Sequence, residues 1–415
     1  MNSVRILIVS QYFWPESFRI NDIAKTLVEK GAHVDILTGK PNYPEGCISK
    51  GYRAWGTQFE TWEGAAVFRV PLFPRGARSA WQLALNYMSF ILAGLIFGPL
   101  LLRKRQYDVI FVYGLSPILL AIPGIFLARL KRRKLALWVQ DLWPESLSAT
   151  GYIHHPRLLQ WVKCVVRWIY RCSDLILVQS RAFIPEVSAL APSKTIAYYP
   201  NSVDSTFGEP PDPRVVLPKI EALETGFPVV FAGNVGVAQA VEVILEAAEL
   251  LKSHSEISFV VFGHGSRWDW IREQIDVRGL KNLYLPGRFP VETMPGLMQK
   301  ASALLVTLAD EPIFAATVPN KIQAYMAAGR PILACLNGEG ASVVEEAKAG
   351  ISVPAEDPKA LVDAILKLYN MSPAQRGEMG ANGRRYYKAH FDHDKLVDEL
   401  MVLLRSVSKT IVEAL

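Results

Sequence analysis

Apolar residues come along this chain in short unbroken runs, each followed by a polar loop and then by a stretch of helical period. In the first half the runs are 4–9, 34–38, 67–70, 109–113, 135–139 and 175–179; in the second they are 228–232, 259–262, 283–285, 303–307, 331–334 and 351–354. Strands covered on both faces read as continuous apolar runs, not as alternation, so the pattern predicts parallel sheets. Helices are expected between them, among others at 20–29, 117–130, 241–251, 343–347, 358–369, 374–390 and 394–407. The polar, proline-rich run 208–218 reads as a linker. Strand and helix alternate twice over, which predicts an α/β chain of two Rossmann-like, doubly wound halves facing a central cleft. The expected boundaries are 1–207 and 208–390.

One segment breaks the pattern. Residues 81–102 are apolar nearly all round and long enough to span a bilayer, with Trp81 and Tyr87 toward one end and Arg103, Lys104 and Arg105 at the other. Strands of one sheet flank it, and crossing the membrane would put sequential elements of that sheet on opposite sides, so it is not read as spanning. A buried crossover helix and a helix lying in the headgroup region both remain. The second is preferred, because apolar residues on every face are hard to bury on the outside of a two-layer domain.

Composition narrows this further. A chain of 415 residues, 50% hydrophobic, can build two ordinary cores. The formal charge of +6 is concentrated at 103–105 and 131–134, beside the most apolar segments, which suits the inner leaflet of an anionic membrane. Nucleic acid is not expected as a partner, since no recognisable module interleaves basic with aromatic residues. Four cysteines without ligand spacing, and an amino end that runs straight into a strand, predict a reduced cytoplasmic setting with no secretory signal.

The chemistry is expected at loops that follow strands. Residues 303–340 read as strand, polar loop, helix, stop at Gly329 and strand. Thr317 is placed to cap that helix and Pro319 suits its first turn. The free N–H groups near Asn320 and Lys321, the positive end of the helix dipole and the Lys321 ammonium then suit a phosphate; an ordinary capped helix with a surface lysine is the competing reading. In the first half the loop 12–19 lacks Gly-x-Gly-x-x-Gly, which argues against a dinucleotide-dependent dehydrogenase. Asp141 and Glu145, in Gln140-Asp-Leu-Trp-Pro-Glu-Ser146, stand just past a buried strand and are the first candidates to take a proton from an acceptor hydroxyl; Asp141 as a plain helix cap is the alternative. Neither a metal nor a cofactor is expected.

The segment Lys-Ile-Gln-Ala-Tyr-Met-Ala-Ala-Gly-Arg-Pro-Ile-Leu-Ala at 321–334 resembles the nucleotide-sugar segment of glycosyltransferase family four, transferases of the GT-B fold. Within it the bacterial surface-polysaccharide branch, containing N-acetyl-L-fucosamine transferases, is the most similar. In most of that family two glutamates eight positions apart bracket this loop, the first on the donor sugar and the second on the ribose. Here those positions are Ala316 and Ala324, so Thr317, Gln323 or the backbone must make these contacts. The resemblance also implies that Gly233, Asn234 and Gln239 face the diphosphate, in places where an arginine and a lysine are usual. It implies that the segments of Gly263, His264 and Arg288 hold the base, with His264 and Arg288 as plain loop residues the other reading. Glu16, Arg19, Asn21 and Asp22, with the loop 40–46, would face the cleft, making Arg19, Asn21 and Asp22 acceptor contacts and Glu16 a further base; a loop 12–19 that merely packs over the sheet is the other reading. The segment 197–204 resembles the family's hinge strand, His154 and His155 lie too far along to replace the family's histidine near the donor sugar, and the helix in 391–415 is expected to return to the first domain.

The expectation is thus a metal-independent hexosyltransferase on the cytoplasmic face of the inner membrane. It would move a sugar from a UDP-sugar to an undecaprenyl-diphosphate-linked saccharide in O-antigen or capsule (lipopolysaccharide or related polysaccharide) assembly. The loss of both glutamates leaves retention or inversion open, and it supports two alternatives: a non-catalytic membrane-associated scaffold of the same fold, or a UDP-sugar epimerase.

Overall fold

The computed structural model describes residues 3–76, 80–149, 155–203, 205–208 and 212–409. They form two compact units, Met1–Pro200 together with Asp394–Leu415, and Asn201–His393. The expected boundary at 207 falls instead at Pro200, because the residues beyond it pack with the second unit.

The first unit holds one sheet of eight strands: β1 (Arg5–Val9), β2 (His33–Thr38), β3 (Gln58–Trp62), β4 (Ala65–Arg69), β5 (Val109–Gly114), β6 (Lys134–Val139), β7 (Leu175–Val178) and β8 (Thr195–Tyr198). Their order is β3-β4-β2-β1-β5-β6-β7-β8, parallel throughout except that β3 runs antiparallel to β4. Two strands escape the apolar-run pattern. β3 is half-exposed and alternates, and it is joined to β4 through Glu63 and Gly64, both at positive φ, as a tight hairpin requires. β8 is the edge of the sheet, so the 175–179 run is not its last strand, and the expected hinge strand 197–204 is the end of β8 and a loop. Asp204 and His154 lie outside the described residues.

Helix Arg19–Glu29 lays Ile20, Ile23 and Leu27 on one face of this sheet against Ile6, Ile8 and Ile36. Leu396, Val397, Leu400 and Leu404 of helix His393–Lys409 join the same core. Helix Ala80–Leu101 is a crossover between β4 and β5, and it combines the two readings of its sequence. One side, with Phe90, Ile91, Ala93, Gly94 and Gly98, is buried, and Gly94 sits so close to Pro123 that a Cβ would lie 2.9 Å from its ring. The outer side is an apolar stripe in solvent, Trp81, Leu85, Met88, Leu92, Ile96 and Leu100, each 43–66% exposed.

The second unit holds six parallel strands: β9 (Phe227–Asn234), β10 (Ile257–His264), β11 (Leu283–Gly287), β12 (Ala303–Thr307), β13 (Ile332–Cys335) and β14 (Gly350–Val353), in the order β11-β10-β9-β12-β13-β14. One layer of helices, including Glu242–Leu250 and Pro358–Asn370, covers Val229, Phe231, Val261 and Leu305. The opposite face is covered by Asn320–Ala328 with the core around Val230, Leu304, Val306 and Tyr325.

Candidate functional site

In the second sheet β9 connects outward to β10 on one side and β12 to β13 on the other, so the strand order reverses between β9 and β12. The crevice outside the carboxyl ends of such a pair is where open α/β sheets bind ligands. Here it is bordered by the turn after Gly233 and by the helix that starts at Asn320, two residues beyond Val318. Gly233 is at φ +140, and a Cβ on it would lie 2.4 Å from the Lys321 Cε: the lysine stem passes directly across the glycine. A Cβ on Gly263, at φ +131, would lie 1.8 Å from the Gly233 carbonyl oxygen, so both positions require glycine for the two strand ends to close up.

The stem leads the Lys321 ammonium to 3.5 Å from the centroid of the Phe231 ring. There Nζ is buried and makes no hydrogen bond. Burial pushes its pKa down to about 7. An ammonium taken out of water costs several kcal/mol unless something compensates, and a ring face returns only ~2 kcal/mol of that. The arrangement puts a buried cation beside a helix start, a combination that suits an anion.

The neighbouring predicted residues divide into two groups. Asn234 and Gln239 are joined, Asn234 Nδ2 donating to Gln239 Oε1 over 2.9 Å, and Gly236 lies beneath the pair. Asn320 and Gly233 are exposed at the crevice. His264 is exposed and stacks on Trp268 at 5.3 Å, while Arg288 is exposed at the end of the edge strand β11. Two expectations are corrected. Thr317 does not cap the helix: its hydroxyl donates to the Ile313 carbonyl over 2.8 Å and closes the preceding short helix Pro312–Ala315. Gln323 is fully buried, and its amide donates to the carbonyls of Pro319 and Asn320 at 3.0 Å, so it fixes the helix start and has no free group for a ribose. Ala324 is part of the core at the position of a usual glutamate. Phe231 was invisible as a functional residue in the sequence, since it reads as one more apolar strand position.

In the first sheet the order reverses between β1 and β5. Glu16, in the loop after β1, is buried, and its carboxylate is fully used. Oε1 accepts the N–H groups of Asn42 and Tyr43, both at 2.7 Å, and Oε2 accepts that of Phe13 at 3.2 Å. Burial raises its pKa to about 7 against the pull of those donors. Glu16 is therefore a clasp between two loops and is withdrawn as a base. Asn21 is spent likewise, donating to the Glu16 carbonyl at 2.7 Å and accepting from the Trp14 N–H at 3.1 Å, so it is withdrawn as an acceptor contact. Asp22 lies in the first turn of helix Arg19–Glu29.

Arg19 and Asp141 both act electrostatically on Tyr113, at the end of β5, which brings the loops after β1, β5 and β6 together around the reversal point. Burial raises the Asp141 carboxyl, with no hydrogen bond from the described residues holding the charged form. Glu145 opens the short helix Glu145–Ala149 and acts electrostatically on Tyr170. A depression among Arg5, His33, Asp35, Arg105 and Tyr107 lies at the amino ends of the strands. Tyr107 donates to Asp35 there at 2.8 Å and Arg105 stands 3.7 Å from it, and ligands of open α/β sheets bind at the opposite, carboxyl ends of the strands, so it is not taken as the site.

Known proteins resemble this chain in both halves. Residues 17–202 match the family described as Glycosyl transferase 4-like domain, and residues 226–371 match Glycosyl transferases group 1. An Escherichia coli (strain K12) protein provisionally named colanic acid biosynthesis glycosyl transferase WcaI is 25% identical over 79% of this chain and 82% of its own length. A Pseudomonas aeruginosa protein provisionally named glycosyltransferase WbjE is 29% identical over 64% of this chain and 68% of its own. Among solved structures, sucrose-phosphate synthase from Thermosynechococcus elongatus superposes with a TM-score of 0.74 at 16% identity, covering 97% of this chain and 99% of that one. Anabaena Alr3699/HepE, solved in complex with UDP, superposes with a TM-score of 0.69 at 14% identity, covering 98% and 100%. With a glycosyltransferase domain in each half and two parallel-sheet Rossmann-like units, the chain is a glycosyltransferase of the GT-B fold.

Proposed function

We propose that this enzyme transfers a sugar from a UDP-sugar to a lipid-linked saccharide, of the undecaprenyl-diphosphate kind, on the cytoplasmic face of the inner membrane during surface-polysaccharide assembly. The observation that carries the donor half is the buried, unpartnered Lys321 ammonium over Gly233 at the helix start. A diphosphate is the anion this cradle suits, and the charge that develops on it as the sugar leaves is met by Lys321 and the helix N–H groups without a metal. UDP is favoured as the nucleotide because Alr3699/HepE was solved with it. Polysaccharide assembly is favoured by the name of WcaI, which refers to colanic acid. N-acetyl-L-fucosamine is the narrowest form of the proposal for the donor sugar and rests on the sequence resemblance alone. On the first unit, Asp141 is the residue proposed to take the acceptor proton if configuration is inverted, with Glu145 behind it and Arg19 as an acceptor contact.

Calorimetry with UDP, GDP and ADP tests the donor half. UDP is expected to bind best, and Lys321→Ala to weaken it about tenfold to hundredfold, the range for one charge-assisted contact. Absence of binding by every nucleotide overturns the donor half of this proposal.

A further inference from the structure

The acceptor reading leaves a second cation unexplained. Arg75 follows β4 by a short loop, and its backbone is pinned: its N–H donates to Asn42 Oδ1 at 3.0 Å, and Asn42 in turn accepts from Asn86 Nδ2 at 3.2 Å, on helix Ala80–Leu101. Its guanidinium lies 5.2 Å over the Tyr43 ring and donates to the Tyr12 hydroxyl at 3.4 Å. Tyr87, next to Asn86 on the helix, acts electrostatically on both Arg75 and Tyr12. The other arginine of this region, Arg69, has Glu60 at 2.6 Å and the Gly39 carbonyl at 3.0 Å. Among the described residues Arg75 has phenols around it and no carboxylate in contact. A guanidinium fork beside the Tyr12 hydroxyl and over the Tyr43 ring, with the Tyr87 phenol within electrostatic reach, presents more donors than a carboxylate has oxygens and matches a phosphoryl group.

What carries that phosphoryl group is indicated by the helix beside it. Asn86 Nδ2 also donates to the Phe73 carbonyl at 2.6 Å, and the Phe73 and Trp81 rings are 6.3 Å apart, so the loop leading to Arg75 runs along the first turns of the helix. From Trp81 the exposed apolar stripe continues to Leu100, about 30 Å along the axis. We infer that Arg75, with Tyr12, Tyr43 and Tyr87, seats the phosphate or diphosphate head of a long-chain lipid whose tail lies along the outer stripe of helix Ala80–Leu101. The inference rests on the lipid-linked acceptor proposed above and names its headgroup site.

Vesicle co-sedimentation of the full chain tests it, comparing phosphatidylcholine vesicles doped with polyprenyl diphosphate against charge-matched vesicles doped with phosphatidylglycerol. The wild-type chain is expected to prefer the polyprenyl diphosphate about tenfold or more, Arg75→Ala to lose the preference, and Tyr43→Phe, which keeps the ring and the fold, to lose part of it. Leu92→Gln with Ile96→Gln is expected to weaken binding to both vesicles. Equal binding of the wild type to the two vesicles, or an undiminished preference in Arg75→Ala and Tyr43→Phe, overturns the inference; competition by inorganic pyrophosphate as effective as by the lipid overturns the lipid assignment. A preserved preference with no sugar transfer to any lipid-linked saccharide leaves this site standing and refutes the acceptor proposed above.

Discussion

Glu16 and Lys321 are both ionisable groups buried at the carboxyl ends of strands, next to the place where their sheet reverses direction, and they are satisfied in opposite ways. Glu16 has three backbone N–H donors within 3.2 Å. Lys321 has an aromatic face and no hydrogen bond. The difference separates structure from function within one fold. A buried charge that the chain has already paired holds loops together, whereas one the chain leaves unpaired is completed by something outside it. The same contrast divides Glu16 from Asp141 on the first sheet, since burial raises both carboxyls and only Glu16 has donors to hold it.

The largest effect that would sharpen this contrast is on catalysis. Asp141→Asn is expected to lower kcat for transfer by about 10²–10⁴-fold if the residue takes the acceptor proton, with little change in the melting temperature, because no bond to the carboxyl is lost. Radiolabel transfer to a lipid-linked saccharide measures the first and thermal denaturation the second. A variant that melts early with unchanged turnover would make Asp141 a second clasp and leave Glu145 as the base.

Glu16→Gln should do the reverse. Glutamine keeps one acceptor oxygen for Asn42 and Tyr43 but turns an NH₂ toward the Phe13 N–H, costing about 1–3 kcal/mol of stability, read by denaturant titration. The pH dependence has a definite sign. A carboxyl whose folded pKa is raised to about 7 contributes stability that is present below the ordinary carboxylate range and lost as pH rises through 7; Glu16→Gln should flatten that slope. Lys321→Met, by contrast, should leave the ligand-free protein as stable or more so, since it removes a buried charge without breaking a bond. Destabilisation by Lys321→Met comparable to that of Glu16→Gln would end the comparison.

Much of the fold was legible because a parallel sheet buried on both faces writes itself as unbroken apolar runs, and residues 303–307 and 331–334 became β12 and β13 with little change. The edges of the first sheet were not legible for the same reason: β3 and β8 are half-exposed and carry no such run, although the Glu63-Gly64 turn was a usable signal for β3. At the site, the helix start and Lys321 could be read from Pro319 and the strand before it. Which polar residues were already engaged could not. Glu16, Asn21, Thr317 and Gln323 all have the chemistry of ligand contacts, and only their partners, the N–H of Asn42 or the carbonyl of Ile313, reveal that the chain itself uses them. Sequence spacing shows which groups a loop carries and says nothing about which remain free once it has folded.

The smallest expected effect is the most direct test of the unpaired lysine. With its pKa lowered to about 7, Lys321 is largely neutral in the free protein above that pH, and its contribution to folding stability is present above the ordinary lysine range near 10.5 and lost as pH falls toward 7. A bound diphosphate favours the ammonium, so binding above pH 7 must draw in a proton. Affinity should then be flat below about 7 and fall by at most tenfold per pH unit above it, until the pKa of the complex is reached. A UDP-sugar is the ligand to use, because its diphosphate has no ionisation in this range to confuse the count. Calorimetry at pH 8.5 in two buffers of different ionisation enthalpy should register an uptake approaching one proton, vanishing at pH 6 and in Lys321→Met. An affinity that stays level from pH 6 to 9 would mean that the ammonium does not meet the anion, and the cation over Phe231 would then be a structural feature like Glu16.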